Sequence, residues 1–413
     1  MIFKECKLKC RHCHAELQHH CLDLGTAPPS NAYLTPERLS APEVFYPLRL
    51  LFCAHCYLVQ TEDFTQRESM FDEDYAYFSS YSSSWLQHAQ KYVETMCARF
   101  SFNHQSMVVE VAANDGYLLQ YVKARNIPCY GIEPTASTAR AAKQKGIDIV
   151  EQFFGHSLAM ELCAQGRQAD LMVANNVLAH VPDLNDFVRG FATLLKPQGV
   201  ATFEFPHLLT MVQSNQFDTA YHEHFSYLSL IAVSRLFEQH GLSIFDVESL
   251  PTHGGSLRVY AQTGHAHQVR DSVAQHVQIE KDAGMQELEF YLNFQAQAVS
   301  AKNALLIYLL TCQQQGISVA AYGAAAKGNT FLNFAGIRSD LISFVVDKNP
   351  QKQGKFLPGS RIPIVDIDFL KQHQPQRIVI FPWNLEREIV EELSFVREWQ
   401  GQFVVAIPKL RIF

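Results

Sequence analysis

Residues 107–116 read M-V-V-E-V-A-A-N-D-G, and residues 117–125 read Y-L-L-Q-Y-V-K-A-R. The first is a short β-branched run, Met107–Val111, that passes into a loop of small residues, Ala112 to Gly116. The second has the apolar spacing of a helix. Strand, small-residue loop and helix N-terminus bring backbone amides close to a ligand, as a nucleotide site requires. The loop lacks the G-x-G-x-x-G order of a dinucleotide fingerprint. Downstream, Cys129-Tyr130-Gly131-Ile132-Glu133 is a second short strand that ends in a carboxylate, followed by Pro134. An acid in that place accepts both hydroxyls of a bound ribose. A nicotinamide-linked dehydrogenase with an altered loop is the competing reading.

The alternation continues on both sides. Asp170–Ala174 reads as a strand leading into Asn175-Asn176-Val177-Leu178-Ala179-His180, then Asp186–Leu195 as a helix and Gly199–Phe205 as a strand. Leu228–His240 is helical, and Leu242–Glu248 and Leu257–Ala261 are extended. Such alternation predicts an α/β domain with a mostly parallel sheet. Its ligand belongs at the carboxyl ends of the strands, where Glu110, Ala112, Asn114, Asp115, Gly116, Glu133, Pro134, Asn175, Asn176 and His180 fall. Upstream, Phe71–Ser84 is rich in Tyr and Ser and reads as a lid-like linker before a helix over Trp85–Phe100.

Near the start stand two C-x-x-C knuckles, Cys10-Arg-His-Cys13 and Cys53-Ala-His-Cys56. Each knuckle turns two thiolates onto one ion, and two knuckles complete a tetrahedral S₄ site for Zn²⁺. A shell of four thiolates leaves no water position, so the ion is expected to be structural. Cys6, His12, His14 and His55 are spare ligands nearby, and chance pairing of free cysteines is the alternative. The stretch between the knuckles, with Pro28-Pro29, reads as turns and one short extended piece.

Length and charge set the frame. With 413 residues, 47% hydrophobic and 18% charged, the chain has core enough for two or three domains. We divide it into a zinc module over 1–70, a central domain over 71–262 and a C-terminal domain over 263–413. A net charge of −7 argues against a nucleic-acid surface. Residues 1–10 hold no signal-like apolar run, and no stretch approaches the roughly 20 apolar residues of a membrane span. Cytoplasmic residence with reduced cysteines is the expectation.

The C-terminal part begins with a Gln- and Ala-rich stretch, His265 to Cys312, that has the spacing of one long helix or two. Strands over 317–322, 341–346 and 377–381 then surround the loop Gly323-Ala-Ala-Ala-Lys327-Gly328-Asn329-Thr330, giving a second Rossmann-like unit. Lys327 and the backbone amides of that turn suit a diphosphate. His253-Gly-Gly-Ser256-Leu-Arg258 offers a second flexible turn with a cation. A degenerate unit that only packs against the central domain is the bland alternative. The densest ionisable cluster is Tyr221-His222-Glu223-His224, which reads as a general base beside the central site, histidine titrating near neutrality. A metal site and a plain surface cluster compete with that reading.

The loop and the acid at Glu133 resemble those of class I S-adenosylmethionine (SAM) methyltransferases, although alanines replace the first two loop glycines and Asn114-Asp115 precede the last. Over nearly its whole length the chain resembles the C-methyltransferases of nucleotide-linked 4-keto deoxysugars. The shared pieces are the two knuckles, DYAYFSSYSSSW, EVAANDG, NNVLAHV, YHEHFSYLS, HGGSLRVY and GAAAKGNTFLN. The resemblance implies SAM as methyl donor, a structural Zn²⁺ and a nucleotide-diphosphate 4-keto-6-deoxysugar as substrate. It implies His224 as the base at C3, supported by Tyr221, Glu223 and His180, with Tyr75 and Tyr77 closing over the sugar. It also implies that the C-terminal half holds the diphosphate, through Lys327, Gly328, Asn329 and Thr330, aided by Ser256 and Arg258. Methylation of another acceptor at O or N, and a zinc-ribbon nucleic-acid binder, are the remaining alternatives. Oligomeric state is open, with a monomer as the default.

Overall fold

The structure is a computed structural model and describes residues 8–62, 64 and 78–413; Cys6, Tyr75 and Tyr77 lie outside the described residues. Behind the two knuckles, β1 (His19–Ala27), β2 (Tyr46–Phe52) and β3 (Val59–Thr61) form an antiparallel sheet. The first strand escapes the sequence reading because its pairing slips twice, between His20 and Leu22 and between Asp23 and Thr26. Each slip breaks the two-residue alternation by which a strand is recognised. Gly25 sits inside the second irregularity with φ +74°, and its N–H donates to the Asp23 carboxylate (2.8 Å).

The central sheet contains β4 (Val108–Val111), β5 (Cys129–Ile132), β6 (Asp148–Val150), β7 (Ala169–Asn175) and β8 (Leu195–Pro206). A two-residue strand, β9 (Ser226–Tyr227), intervenes before β10 (Ser243–Leu250) and β11 (Ser256–Gln262). Seven of these lie in the order β6-β5-β4-β7-β8-β11-β10. The first five are parallel, and β11 inserts antiparallel between β8 and β10. This is the class I methyltransferase arrangement. The chain order reverses between β4 and β7, which opens the crevice where such sheets take a ligand. Helices cover both faces. Ser82, Asp183 and Ser229 cap three of them by accepting an N–H three residues on.

β9 leaves this sheet and joins the zinc module. It pairs antiparallel with β3, Val59 opposite Tyr227 and Gln60 opposite Ser226. The module and the central domain are therefore stitched together directly after His224.

The expected long helical region is two helices, Asp271–Asp282 and Glu289–Gln314, with different attachments. The first belongs to the central domain. Its Glu280, wholly buried, accepts the N–H groups of Leu230 and Ile231 (2.6 and 2.8 Å) and pairs with His207 (2.7 Å). The second shares a core with the zinc module, Tyr291 packing on Phe52 with ring centroids 4.8 Å apart. The C-terminal sheet follows as β12 (Val319–Tyr322), β13 (Val345–Val346), β14 (Ile364–Val365), β15 (Arg377–Ile380), β16 (Gln402–Val405) and β17 (Arg411–Ile412). Its order is β14-β13-β12-β15-β16-β17, parallel but for the last strand. This second Rossmann-like unit has its own reversal between β12 and β15. Among the described residues no helix is long and apolar enough to cross a membrane.

Candidate active site

The four knuckle cysteines converge. All their Sγ atoms lie within 4.8 Å of one another, with Cys10 to Cys56 at 3.4 Å and Cys13 to Cys53 at 3.5 Å. A tetrahedral Zn²⁺ with Zn–S bonds of about 2.3 Å needs S–S edges of roughly 3.8 Å, so the set fits the ion. In each knuckle the residue after the second cysteine or its neighbour takes a left-handed turn, His14 (φ 60°) and Tyr57 (φ 66°). Their N–H groups return to the carbonyls of Cys10 and Cys53. Of the spare histidines, His12 is engaged elsewhere. His12 donates from Nδ1 to Asn185 Oδ1 (3.0 Å), which also accepts from His240 (2.8 Å), and so pins the first knuckle to the central domain.

At the crevice of the central sheet the loop after β4 turns through left-handed residues, Ala112 (φ 56°), Asn114 (φ 50°) and Gly116 (φ 77°). Only a glycine suits the last place, since a Cβ there would meet Ile147 Cδ1 at 2.3 Å. Glu133 accepts from the N–H of Asn114 and of Thr135, both at 2.9 Å. Burial raises its carboxyl above the usual range, and those two amides oppose the rise. Each carboxylate oxygen has a further lone pair, so ribose hydroxyls are still acceptable partners. Around it lie buried polar groups whose hydrogen-bonding capacity is not filled among the described residues: the carboxylate of Glu110 and the amide of Asn175, which share the Tyr117 hydroxyl, and Asp115 Oδ1. Folded proteins rarely leave such groups unmet unless a ligand or water meets them. The donor set fits a nucleoside cofactor. Asn176 donates to His253 Nε2 (3.1 Å), and the Trp85 indole meets the His253 ring at 5.3 Å and stacks on Tyr117 at 5.8 Å.

The Tyr221–His224 segment lies at the same end of the sheet. His224 Nδ1 is 3.0 Å from the Thr219 carbonyl, an acceptor only, so this nitrogen carries the proton. Nε2 is then an acceptor, and the Tyr221 hydroxyl donates to it at 2.7 Å. Burial, and next the neighbouring His180, push the His224 pKa well below the ordinary value, so the ring is neutral at physiological pH. His180 donates from Nδ1 to the Glu223 carbonyl (2.7 Å), and its ring stands edge-on to His224 with centroids 4.6 Å apart. Three of the four residues expected in the reacting set are thus in contact. The Glu223 side chain is the exception. Its Oε1 accepts from the backbone and side-chain amides of Asn31 (3.3 and 3.2 Å), in the strap between the knuckles.

The residues expected at the diphosphate divide. Lys327 lies in the C-terminal crevice, donating to Asn384 (2.9 Å) and sitting 4.2 Å over the Trp383 ring. Burial lowers its pKa to about 8, with Asp218 opposing. Gly328 lies where a Cβ would meet Phe381 at 2.7 Å. Asn329 and Thr330 are buried, and the Thr330 hydroxyl donates to the Ala220 carbonyl at 2.8 Å. Ser256 donates to the Thr252 carbonyl (2.9 Å). Arg258, also buried, pairs with Glu204 (3.0 Å) and Glu248 (3.4 Å) and lies 4.8 Å over the Tyr92 ring. Several residues here were not singled out by pattern: Asp218, Thr219, Trp383, His88 and Glu204. A lone acid or tryptophan carries no spacing signal; only the fold brings these together.

Three family models match successive parts of the chain. Residues 10–71 match the family of a zinc binding domain, residues 85–247 a methyltransferase domain, and residues 251–408 the C-methyltransferase C-terminal domain. The C-methyltransferase NovU of Streptomyces niveus is 31% identical over 405 residues, covering 98% of this chain and 96% of that protein. Among solved structures, magnesium protoporphyrin IX methyltransferase from Synechocystis PCC 6803 with bound SAM is 16% identical, covering 43% of this chain and 78% of its own, at a TM-score of 0.33. The PH0226 protein of Pyrococcus horikoshii OT3 is 12% identical, covering 45% and 94%, at a TM-score of 0.37.

Proposed function

The chain belongs to the C-methyltransferase family, and from that membership we propose that it methylates the carbon beside the ketone, C3, of a nucleotide-diphosphate 4-keto-6-deoxysugar. The observation that carries this reading is the Tyr221–His224 pair: a buried, neutral imidazole whose tautomer is fixed by Thr219 so that Nε2 is the acceptor. A C4 ketone acidifies the hydrogen on C3, because the anion left behind delocalises onto oxygen as an enolate. His224 Nε2 takes that proton, and the Tyr221 hydroxyl, its partner while no substrate is present, donates to the enolate oxygen. The His180 ring fixes one side of the imidazole.

SAM supplies the electrophilic methyl group. Glu133 holds its ribose, and the turn Ala112–Gly116 with Glu110, Asp115, Asn175 and Asn176 holds the rest. The chain's own contribution is placement, which brings C3 to the methyl in one orientation and removes much of the entropic barrier. Lys327 and the first-turn amides of the helix Ala326–Ala335 take the diphosphate. A thiolate-ligated zinc needs a reducing compartment, and we place the reaction in the cytoplasm.

The test is proton exchange without methyl transfer. Wild-type protein, the 4-keto sugar nucleotide and S-adenosylhomocysteine in deuterated water should give deuterium at the carbon beside the ketone. His224→Asn should bind both ligands yet not promote exchange. Methylation of a substrate whose ketone has been reduced to an alcohol would refute the enolate route.

A further inference from the structure

We propose that Trp383 and Thr330 of the C-terminal domain are positioning residues for His224, acting through the turn 217–220. This rests on the reading of His224 as the base. The turn is a single 3₁₀ turn, Phe217–Thr219, followed by Ala220. Its last carbonyl, that of Thr219, receives the His224 Nδ1 proton. That one bond decides which imidazole nitrogen is left as the acceptor. A turn this short has few bonds of its own: Ala220 N–H to the Phe217 carbonyl (3.0 Å), and the Thr219 N–H (3.1 Å) and hydroxyl (2.7 Å) to the Gln216 carbonyl. Such a segment is held chiefly by what it docks against.

Most of that docking is onto the C-terminal crevice. The residue before Thr219 is fastened by its side chain: Trp383 Nε1 donates to Asp218 Oδ2 at 2.8 Å. The residue after it is fastened by its carbonyl: Ala220 accepts the Thr330 hydroxyl at 2.8 Å. Phe217 packs its ring on Phe331 and Phe334, centroids 5.1 and 5.6 Å away. Thr219 is therefore bracketed on both sides by bonds that cross between domains. Thr330 comes from the helix after β12, and Trp383 from the loop after β15. Those two connections flank the chain reversal of the C-terminal sheet, where an open α/β sheet ordinarily binds a ligand. Here the central domain's own turn occupies part of that crevice. Trp383 is seated by Gly254, whose φ is +88° and where a Cβ would lie 2.4 Å from the indole Cη2. A glycine is required at that place, and it follows His253 directly. The indole thus touches the two segments, 216–220 and 253–255, that flank the site.

Three variants test the assignment: Trp383→Phe removes the indole donor, Thr330→Val replaces the hydroxyl by a methyl of the same shape, and Thr330→Ser returns the hydroxyl. Two readouts are taken on the full-length, zinc-loaded protein. In steady-state kinetics, Trp383→Phe and Thr330→Val should each lower kcat about 10- to 100-fold, the scale for a displaced reacting group, with KM for the sugar nucleotide and Kd for SAM unchanged. Thr330→Ser should restore most of the rate. In ¹⁵N spectra of histidine-labelled protein, the His224 signals should leave the single Nδ1–H tautomer of the wild type for a mixture in both impaired variants. A wild-type His224 spectrum in both variants overturns the proposal, whether or not the rate falls. Full activity of His224→Asn would refute the base assignment instead, and leaves the spectral test of the clasp separate. Should Trp383→Phe fail to fold, Thr330→Val and Thr330→Ser still decide.

Discussion

Arg258 lies in the motif expected to meet the substrate, yet its partners predict a different phenotype. Its guanidinium pairs at 3.0 Å with Glu204, whose side chain is 0% exposed, and His88 donates to the same carboxylate oxygen at 2.9 Å. Thr252 donates to the other oxygen at 2.8 Å. Burial alone would raise the Glu204 pKa; the His88 hydrogen bond and the Arg258 charge outweigh it and hold it at about 2. Relative to an ordinary value of 4.5, that depression corresponds to about 3 kcal/mol of pH-dependent stability at 1.36 kcal/mol per unit. Because the folded value is the lower one, this stability is complete above pH 4.5 and is lost as pH falls toward 2. Breaking one side of a buried ion pair costs a similar amount, about 3–5 kcal/mol. Arg258→Met should therefore lower the melting temperature of the central domain by roughly 6–20 °C, at about 2–4 °C per kcal/mol for a domain of this size. Adding Glu204→Gln should recover much of the loss, since the orphaned charge is then removed. Calorimetry of the two proteins against wild type measures both. An Arg258→Met protein with unchanged melting and a large rise in KM for the sugar nucleotide would refute this reasoning and return Arg258 to the substrate.

The other perturbations separate the remaining parts. Cys53→Ser should lower zinc content from about one per chain and reduce stability strongly, structural zinc contributing on the order of 10 kcal/mol in small modules; metal analysis and thermal melting check it. Glu133→Ala should weaken SAM about 10- to 100-fold, from about 1.5–3 kcal/mol of charge-assisted hydrogen bonding, and titration calorimetry reads the change directly. The pH profile of kcat/KM should lack a histidine limb near neutrality, because the depressed His224 pKa keeps the base neutral to well below the ordinary value of 6.5. On the alkaline side, Lys327 is cationic below about 8 and loses its charge above it, so KM for the nucleotide diphosphate should rise there in wild type and stay flat in Lys327→Ala.

What the sequence made legible was whatever recurs at short spacing. The knuckles at 10–13 and 53–56, the loop 112–116, the acid at Glu133 and the pair Tyr221–His224 are all local patterns, and the structure brings each set together. β1 and β2 were not legible, because bulges scramble the alternation in one and the other packs against a helix more than two hundred residues away. β13 is only the last two residues of the strand read over 341–346, and β14 and β17 are two-residue strands whose identity comes from pairing alone. The contacts of Glu223 with Asn31 and of Asp218 with Trp383 join residues remote in the chain, and no periodicity announces them. Residue type alone says least where charge is concerned. Arg258 looks like an anion ligand in sequence, but a buried arginine on β11 faces Glu204 on the neighbouring β8, cross-strand partners in register.

Where the methyl group goes decides between attack by carbon and attack by oxygen or nitrogen. Incubating the protein with a nucleotide-diphosphate 4-keto-6-deoxysugar labelled throughout its sugar ring with ¹³C and SAM labelled with ¹³C in its methyl group, and recording the ¹³C spectrum of the product, answers that in one experiment. The predicted product carries the label on the ring carbon beside the ketone, as a methyl signal whose attached carbon shows one-bond carbon–carbon coupling. A labelled methyl on oxygen or nitrogen, without that coupling, would contradict C-methylation through an enolate.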